Sequence, residues 1–172
     1  YYSYLKTKEK VTEFELLKQL CSSAKPAEQE QLNFLTHKAP GLTFYKKHGI
    51  GNMILTPLSI NKNKDLLQLL TEITQLPQED VVSIHFTEYN VGSETTDHRD
   101  SNSSNTVLFL LNSATEGGDL RVDGEILDFK EEGSWVIYDG GKLLHGVTEI
   151  KEGYRKVLVI WYGNSKPKKT LL

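Results

Sequence analysis

Four residues in the C-terminal half of the sequence have types and spacing that could do chemistry. His98 and Asp100 stand in the string T-D-H-R-D, His145 in L-L-H-G-V and Arg155 in G-Y-R-K-V. An H-x-D pair followed by a distant histidine is the donor set of a two-histidine, one-carboxylate site. Such a set takes one face of a non-haem Fe(II) and leaves the other face open. An arginine ten residues past the second histidine could hold an acid cosubstrate beside that metal.

The elements that must position these residues are strands. From Val81 onward, short runs with strand periodicity are separated by turns. Val82, Ile84 and Phe86 alternate with Ser83, His85 and Thr87, which predicts a half-buried strand with the polar set outward. The apolar run Val107 to Leu111 predicts a strand buried on both faces. Gly117-Gly118, Asp123-Gly124, Glu132-Gly133, Gly140-Gly141 and Glu152-Gly153 punctuate strands near 119–122, 126–129, 134–138, His145 and 155–162. Many short strands at near-regular spacing argue for a sandwich or jelly roll rather than βα units.

Helix comes before strand. Phe14, Leu17, Leu20 and Cys21 within 11–21 follow helical spacing, and Leu66, Leu70 and Ile73 predict a second helix, capped by Asn63 and stopped by Pro77. Short strands are expected around 42–45 and 53–55. The fold class is therefore mainly β with N-terminal helices. The whole chain is expected to be one catalytic domain: 1–80 as helical and short-strand support, 81–164 as the β core and 165–172 as a basic tail.

Strand geometry gives the four residues a spatial relation. Residues i and i+2 of an extended chain share a face, so His98 and Asp100 can reach one ion while Asp97 and Arg99 point away. If Glu152-Gly153 forms a hairpin, His145 and Arg155 lie on neighbouring strands, roughly 13 Å apart by strand rise. Metal bonds and two long side chains would bring that gap near the length of a five-carbon dicarboxylate. Arg155 shares strand parity with Val157, Val159 and Trp161, and a guanidinium on such an interior face is costly without an anionic partner. Singly, each residue has an ordinary explanation as a surface polar group or a core histidine; it is their order and strand context that point to a metal. His37, His48 and His85 lack a partner at ligand spacing and are expected to be structural or solvent-facing.

Composition limits the alternatives. A chain of 172 residues, 38% hydrophobic, supports one well-buried core. A net charge of −3 gives no electrostatic attraction to nucleic acid or an anionic membrane. The single cysteine, Cys21, cannot form an internal disulfide, which favours a reducing, intracellular and cytoplasmic setting. No apolar stretch approaches the roughly 20 residues that span a bilayer, and no signal-peptide pattern opens the chain. The first residue is Tyr1 rather than Met, so a trimmed N-terminus is expected.

The strings E-G-G-D-L-R-V, G-S-W-V-I-Y-D and L-L-H-G-V-T-E-I-K-E-G-Y-R-K-V-L-V-I-W-Y resemble the catalytic core of the Fe(II)- and 2-oxoglutarate-dependent dioxygenases, most closely the prolyl 4-hydroxylase-like branch. The resemblance covers 81–164, about half the chain. It implies a double-stranded β-helix, a distorted jelly roll with the metal at its open end. It assigns His98, Asp100 and His145 to Fe(II), Arg155 to the distal carboxylate of 2-oxoglutarate, Tyr89 to a further bond with that cosubstrate, and Leu108, Leu110, Leu120, Val147 and Trp161 to the pocket wall. No further catalytic residue is implied beyond the metal ligands.

The implied cofactors are Fe(II), 2-oxoglutarate and O2, with ascorbate as an accessory reductant. The implied reaction is hydroxylation of an aliphatic C–H, foremost in a prolyl residue of a peptide or protein, with small-molecule substrates as the other class. Leu110 departs from oxygen-sensing relatives, which carry tyrosine there and so have a second polar contact to the cosubstrate. Two other readings stand beside this one: a cupin-like metalloenzyme without 2-oxoglutarate, which would leave Arg155 without a role, and a non-catalytic jelly-roll binding module. The sequence does not specify an oligomeric state.

Overall fold

The computed structural model describes residues 13–27, 49–100 and 105–163, together with the backbone of 4–6. The expectations for the strand at 42–45, for His37 and His48, and for the tail 165–172 lie outside these residues. In chain order the strands are β1 (Tyr4–Lys6), β2 (Gly49–Ile50), β3 (Met53–Pro57), β4 (Val81–Tyr89), β5 (Glu94–His98), β6 (Asn105–Asn112) and β7 (Glu116–Gly117). They continue as β8 (Leu120–Val122), β9 (Glu125–Ile126), β10 (Trp135–Tyr138), β11 (His145–Val147), β12 (Ile150–Glu152) and β13 (Arg155–Tyr162). Among the described residues, two α-helices precede the strand-rich half, α1 (Phe14–Ser22) and α2 (Lys64–Thr74).

The strands form a jelly roll. A major sheet runs in the order β1-β10-β6-β13-β4-β3 and a minor sheet in the order β2-β5-β11-β8-β9, with β12 paired to β7 as a small third ladder. Every pairing is antiparallel. Asp123 and Gly124 both have positive φ, 52° and 79°, as the tight hairpin between β8 and β9 requires.

The major sheet is buried on both faces. Ile84, Phe86, Val107, Phe109, Leu158 and Ile160 pack with Phe14 and Leu17 of α1 and Leu66, Leu67 and Leu70 of α2 in one cluster. Each such leucine contributes about 1.5–3 kcal/mol by leaving water. The opposite parity faces the space between the sheets: Tyr89, Leu108, Leu110, Val136, Tyr138, Val157, Val159 and Trp161 meet Leu120, Val122 and Val147 of the minor sheet.

This arrangement corrects the reading of β4. Ser83, His85 and Thr87, expected outward, are each fully buried. The helices cover the apolar parity, which sends the polar parity into the interior. Strand alternation reports that two faces differ, but not which of them meets water.

Asn63 also departs from expectation. It stands at the N-cap of α2, yet its side chain makes no capping bond. Instead its Oδ1 accepts from the Lys25 amide at 2.8 Å, and its Nδ2 donates to the Lys25 and Ser59 carbonyls, tying the segment after α1 to the start of α2. The C-terminus follows the sequence, since Gln75 adopts the left-handed conformation with its amide donating to the Thr71 carbonyl and Pro77 prevents continuation.

Candidate metal centre

His98 ends β5, His145 begins β11, and the two are direct cross-strand partners. Asp100 lies just past β5, held by its amide donating to the Gly140 carbonyl at 2.8 Å. All three side chains are buried, and one donor atom from each lies within 4.8 Å of the others. His98 Nε2 is 3.3 Å from Asp100 Oδ1, and His145 Nε2 is 3.3 Å from Asp100 Oδ2. Arg99 and Asp97 are exposed, as strand parity predicts.

Both imidazoles are oriented by the backbone. His98 Nδ1 lies 2.7 Å from the Thr96 carbonyl and His145 Nδ1 lies 2.9 Å from the Leu143 carbonyl. A carbonyl only accepts, so Nδ1 carries the proton in each ring. Nε2 of each ring then faces the centre, where its lone pair would be available to a cation, the arrangement a metal-binding histidine uses. Tyr138 supports His145 from behind, ring centroids 4.9 Å apart. Burial alone would raise the Asp100 pKa, but hydrogen bonds with His145 and His98 outweigh it and hold the carboxyl below the usual carboxylate range. For His145 burial lowers the pKa, and the bond to Asp100 reverses the direction and raises it. The cluster thus concentrates negative charge where two imidazole donors converge, which fits a divalent cation.

Three supporting residues had no place in the reading of the sequence. Thr106 Oγ1 donates to Asp100 Oδ2 at 2.8 Å, fixing the carboxylate. Gly140 packs so close that a Cβ there would sit 2.4 Å from Thr106 Oγ1 and 2.5 Å from Asp100 Oδ2; its only trace in the sequence is the Gly140-Gly141 pair, which reads as a turn. Gly146 lies beneath a clasp across β11, in which Arg121 Nε donates to Asp97 Oδ1 at 2.9 Å and Oδ2 at 3.1 Å. A Cβ at Gly146 would come within 2.7 Å of Asp97 Oδ1.

Arg155 reaches the interior by a different route from the one expected. The hairpin predicted at Glu152-Gly153 does not form. β12 pairs with β7 instead, and β11 and β13 belong to opposite sheets. The chain crosses from the minor to the major sheet between His145 and Arg155, so the two face each other across the roll rather than along a ladder.

Arg155 is 1% exposed, and its Nε, Nη1 and Nη2 have no hydrogen-bond partner among the described residues. Its guanidinium carbon lies 5.0 Å from the Tyr89 ring centroid. Tyr89 is Arg155's cross-strand partner and shares a 3.0 Å hydrogen bond between its hydroxyl and Thr95 Oγ1. Leu108, Leu110, Leu120, Val147 and Trp161 are buried in the same interior cluster.

The strand-rich segment also has recognisable relatives. Residues 84–163 match the family model of the 2OG-Fe(II) oxygenase superfamily. No curated protein matches the chain. Among solved structures, a Pseudomonas putida prolyl-4-hydroxylase is similar at 16% identity, over 94% of this chain and 92% of that one, with a TM-score of 0.58. A viral collagen prolyl hydroxylase from Paramecium Bursaria Chlorella virus-1, solved with 2OG, is 14% identical over 92% and 94% of the two chains, with a TM-score of 0.53. A 2OG-Fe(II) oxygenase family protein from Burkholderia pseudomallei is 14% identical over 66% and 67%, with a TM-score of 0.55. At these identities the likeness establishes the fold.

Proposed function

We propose that this chain is a 2OG-Fe(II) oxygenase, a dioxygenase acting as one catalytic domain, in keeping with the family match over 84–163. In it His98, Asp100 and His145 hold Fe(II), and Arg155 anchors the distal carboxylate of 2-oxoglutarate. The observation that carries this reading is the buried guanidinium, without a hydrogen-bond partner among the described residues, in the same interior as a His-Asp-His cluster. Leaving such a charge unpaired costs several kcal/mol, and a dicarboxylate bound by the metal at one end would pair it at the other. The cupin-like and non-catalytic readings give Arg155 no such partner.

With O2, Fe(II) and 2-oxoglutarate supply the oxidising chemistry, yielding succinate, CO2 and a hydroxylated C–H. The protein's own residues bind and orient. The Nδ1 bonds of His98 and His145 fix their tautomers, Thr106 fixes the Asp100 carboxylate, and the apolar wall of Leu108, Leu110, Leu120, Val147 and Trp161 excludes water. Tyr89 adds a hydroxyl beside Arg155.

The proposed substrate is a prolyl residue in a peptide or protein, supported by the near full-length fold likeness to two prolyl hydroxylases. The decisive experiment is anaerobic titration of Fe(II)-loaded protein with 2-oxoglutarate. A visible charge-transfer band supports the reading, and its absence despite bound iron overturns it. Turnover of proline-containing peptides, assayed with ascorbate present, then tests the substrate.

A further inference from the structure

The interior face of β4 carries a polar group that the proposed site has not used. Thr87 is fully buried, and its Oγ1 has no hydrogen-bond partner among the described residues. Its place is set by register. Tyr89 pairs with Arg155, and Thr87 pairs with Val157, whose other neighbour is Leu110. Thr87 is therefore the next interior residue along β4 from Tyr89 and a diagonal neighbour of Arg155, within side-chain reach of a group bound there. Leu110, across Val157, offers no polar atom.

A buried hydroxyl left unbonded is disfavoured, and valine would fill the same space without that cost. Arg155 beside it poses the same question as a charge. One ligand answers both, because a carboxylate has two oxygens and about four lone-pair sites, enough for a guanidinium and further donors.

We propose that Thr87 Oγ1 donates a hydrogen bond to the distal carboxylate of 2-oxoglutarate, alongside Arg155. The inference rests on the dioxygenase reading and names a ligand-binding residue within it. The Tyr89 hydroxyl joins the same clamp when Thr95 Oγ1, 3.8 Å from Met53 Sδ, turns its proton from that sulfur to the Tyr89 oxygen. That leaves the phenolic proton for the carboxylate.

The test compares wild type, Thr87→Val and Thr87→Ser in three measurements: 2-oxoglutarate affinity of the anaerobic Fe(II) protein, Fe(II) affinity, and melting temperature without ligands. Thr87→Val is expected to bind 2-oxoglutarate about tenfold more weakly, equivalent to about 1.4 kcal/mol. Its Fe(II) affinity should be unchanged and its melting temperature equal or higher. Thr87→Ser should restore affinity to within roughly threefold of wild type, since it keeps the charge-assisted bond. Unchanged 2-oxoglutarate affinity in Thr87→Val, or a parallel fall in Fe(II) affinity, overturns the role of Thr87 while leaving the dioxygenase reading intact. Failure of the iron-loaded wild type to bind 2-oxoglutarate overturns both.

Discussion

At the scale of single residues, the two charged groups of the proposed site should respond differently to removal. Asp100 Oδ1 and Oδ2 face His98 and His145, and Thr106 donates to Oδ2. Asp100→Ala is expected to abolish Fe(II) binding while leaving the sheets folded, as metal analysis and far-UV circular dichroism would report; global unfolding would contradict this. Arg155 has no such partners among the described residues, so its function and its contribution to stability should oppose each other. Arg155→Ala should weaken 2-oxoglutarate binding by roughly 2–5 kcal/mol, the usual cost of deleting one member of a buried charge pair. Arg155→Met should raise the ligand-free unfolding free energy by about 1 kcal/mol or more, because a neutral side chain replaces an unpaired buried charge. Denaturant titration without ligand checks the sign, and a destabilised Arg155→Met would mean that the guanidinium is satisfied in the free protein.

At the scale of elements, the centre depends on glycines that let neighbouring segments approach. Gly140 has a φ that any residue can adopt, so its constraint is space rather than backbone conformation. Gly140→Ala would push a methyl group against Asp100 Oδ2 and Thr106 Oγ1, both within 2.5 Å of the ideal Cβ position. Fe(II) affinity should fall roughly 10–100-fold, as it does when a group supporting a ligand is displaced. Calorimetric titration of Fe(II) would detect the loss, and wild-type affinity would show that the loop relaxes freely. The Arg121–Asp97 clasp over Gly146 ties β8 to β5 around β11. At 29% and 40% side-chain exposure the pair is solvent-screened and worth little to global stability.

At the scale of the whole molecule, the polar interior makes stability depend on pH. Burial pushes the His85 pKa down to about 3, only partly offset by the Asp100 charge. In the unfolded chain it titrates near 6.5. A depressed folded pKa means that stability is complete above about 6.5 and is lost as pH falls toward 3, because only the unfolded chain accepts the proton. Between pH 6.5 and 5 this should cost about 1–2 kcal/mol. His145, whose pKa is raised, has its own effect above that window, with stability lost as pH rises. Urea midpoints at pH 6.5 and 5 for wild type and His85→Leu would separate the two, the variant losing less. An equal loss in both would assign the effect elsewhere.

The sequence alone made the proposed donor set legible, because H-x-D, a distant histidine and an arginine on an apolar parity stand in an order and strand context that a metal site with an acid cosubstrate would use, although each singly has an ordinary explanation. Periodicity and turn residues likewise made the jelly roll legible, from the Val107–Leu111 run to the Asp123-Gly124 hairpin. Only the tertiary structure decided which face of β4 is interior, since alternation distinguishes faces without naming the solvent side. The helices that bury Ile84 and Phe86 settle that question and put Thr87 on the interior face that also carries Tyr89, the partner of Arg155. The crossing of the chain between His145 and Arg155 was also hidden, because a Glu-Gly turn reads alike in a hairpin and at a corner between sheets. Thr106 and Gly140 escaped notice for a further reason: their roles arise from contacts with Asp100, six positions apart in one case and from a distant turn in the other, and neither leaves a pattern along the chain.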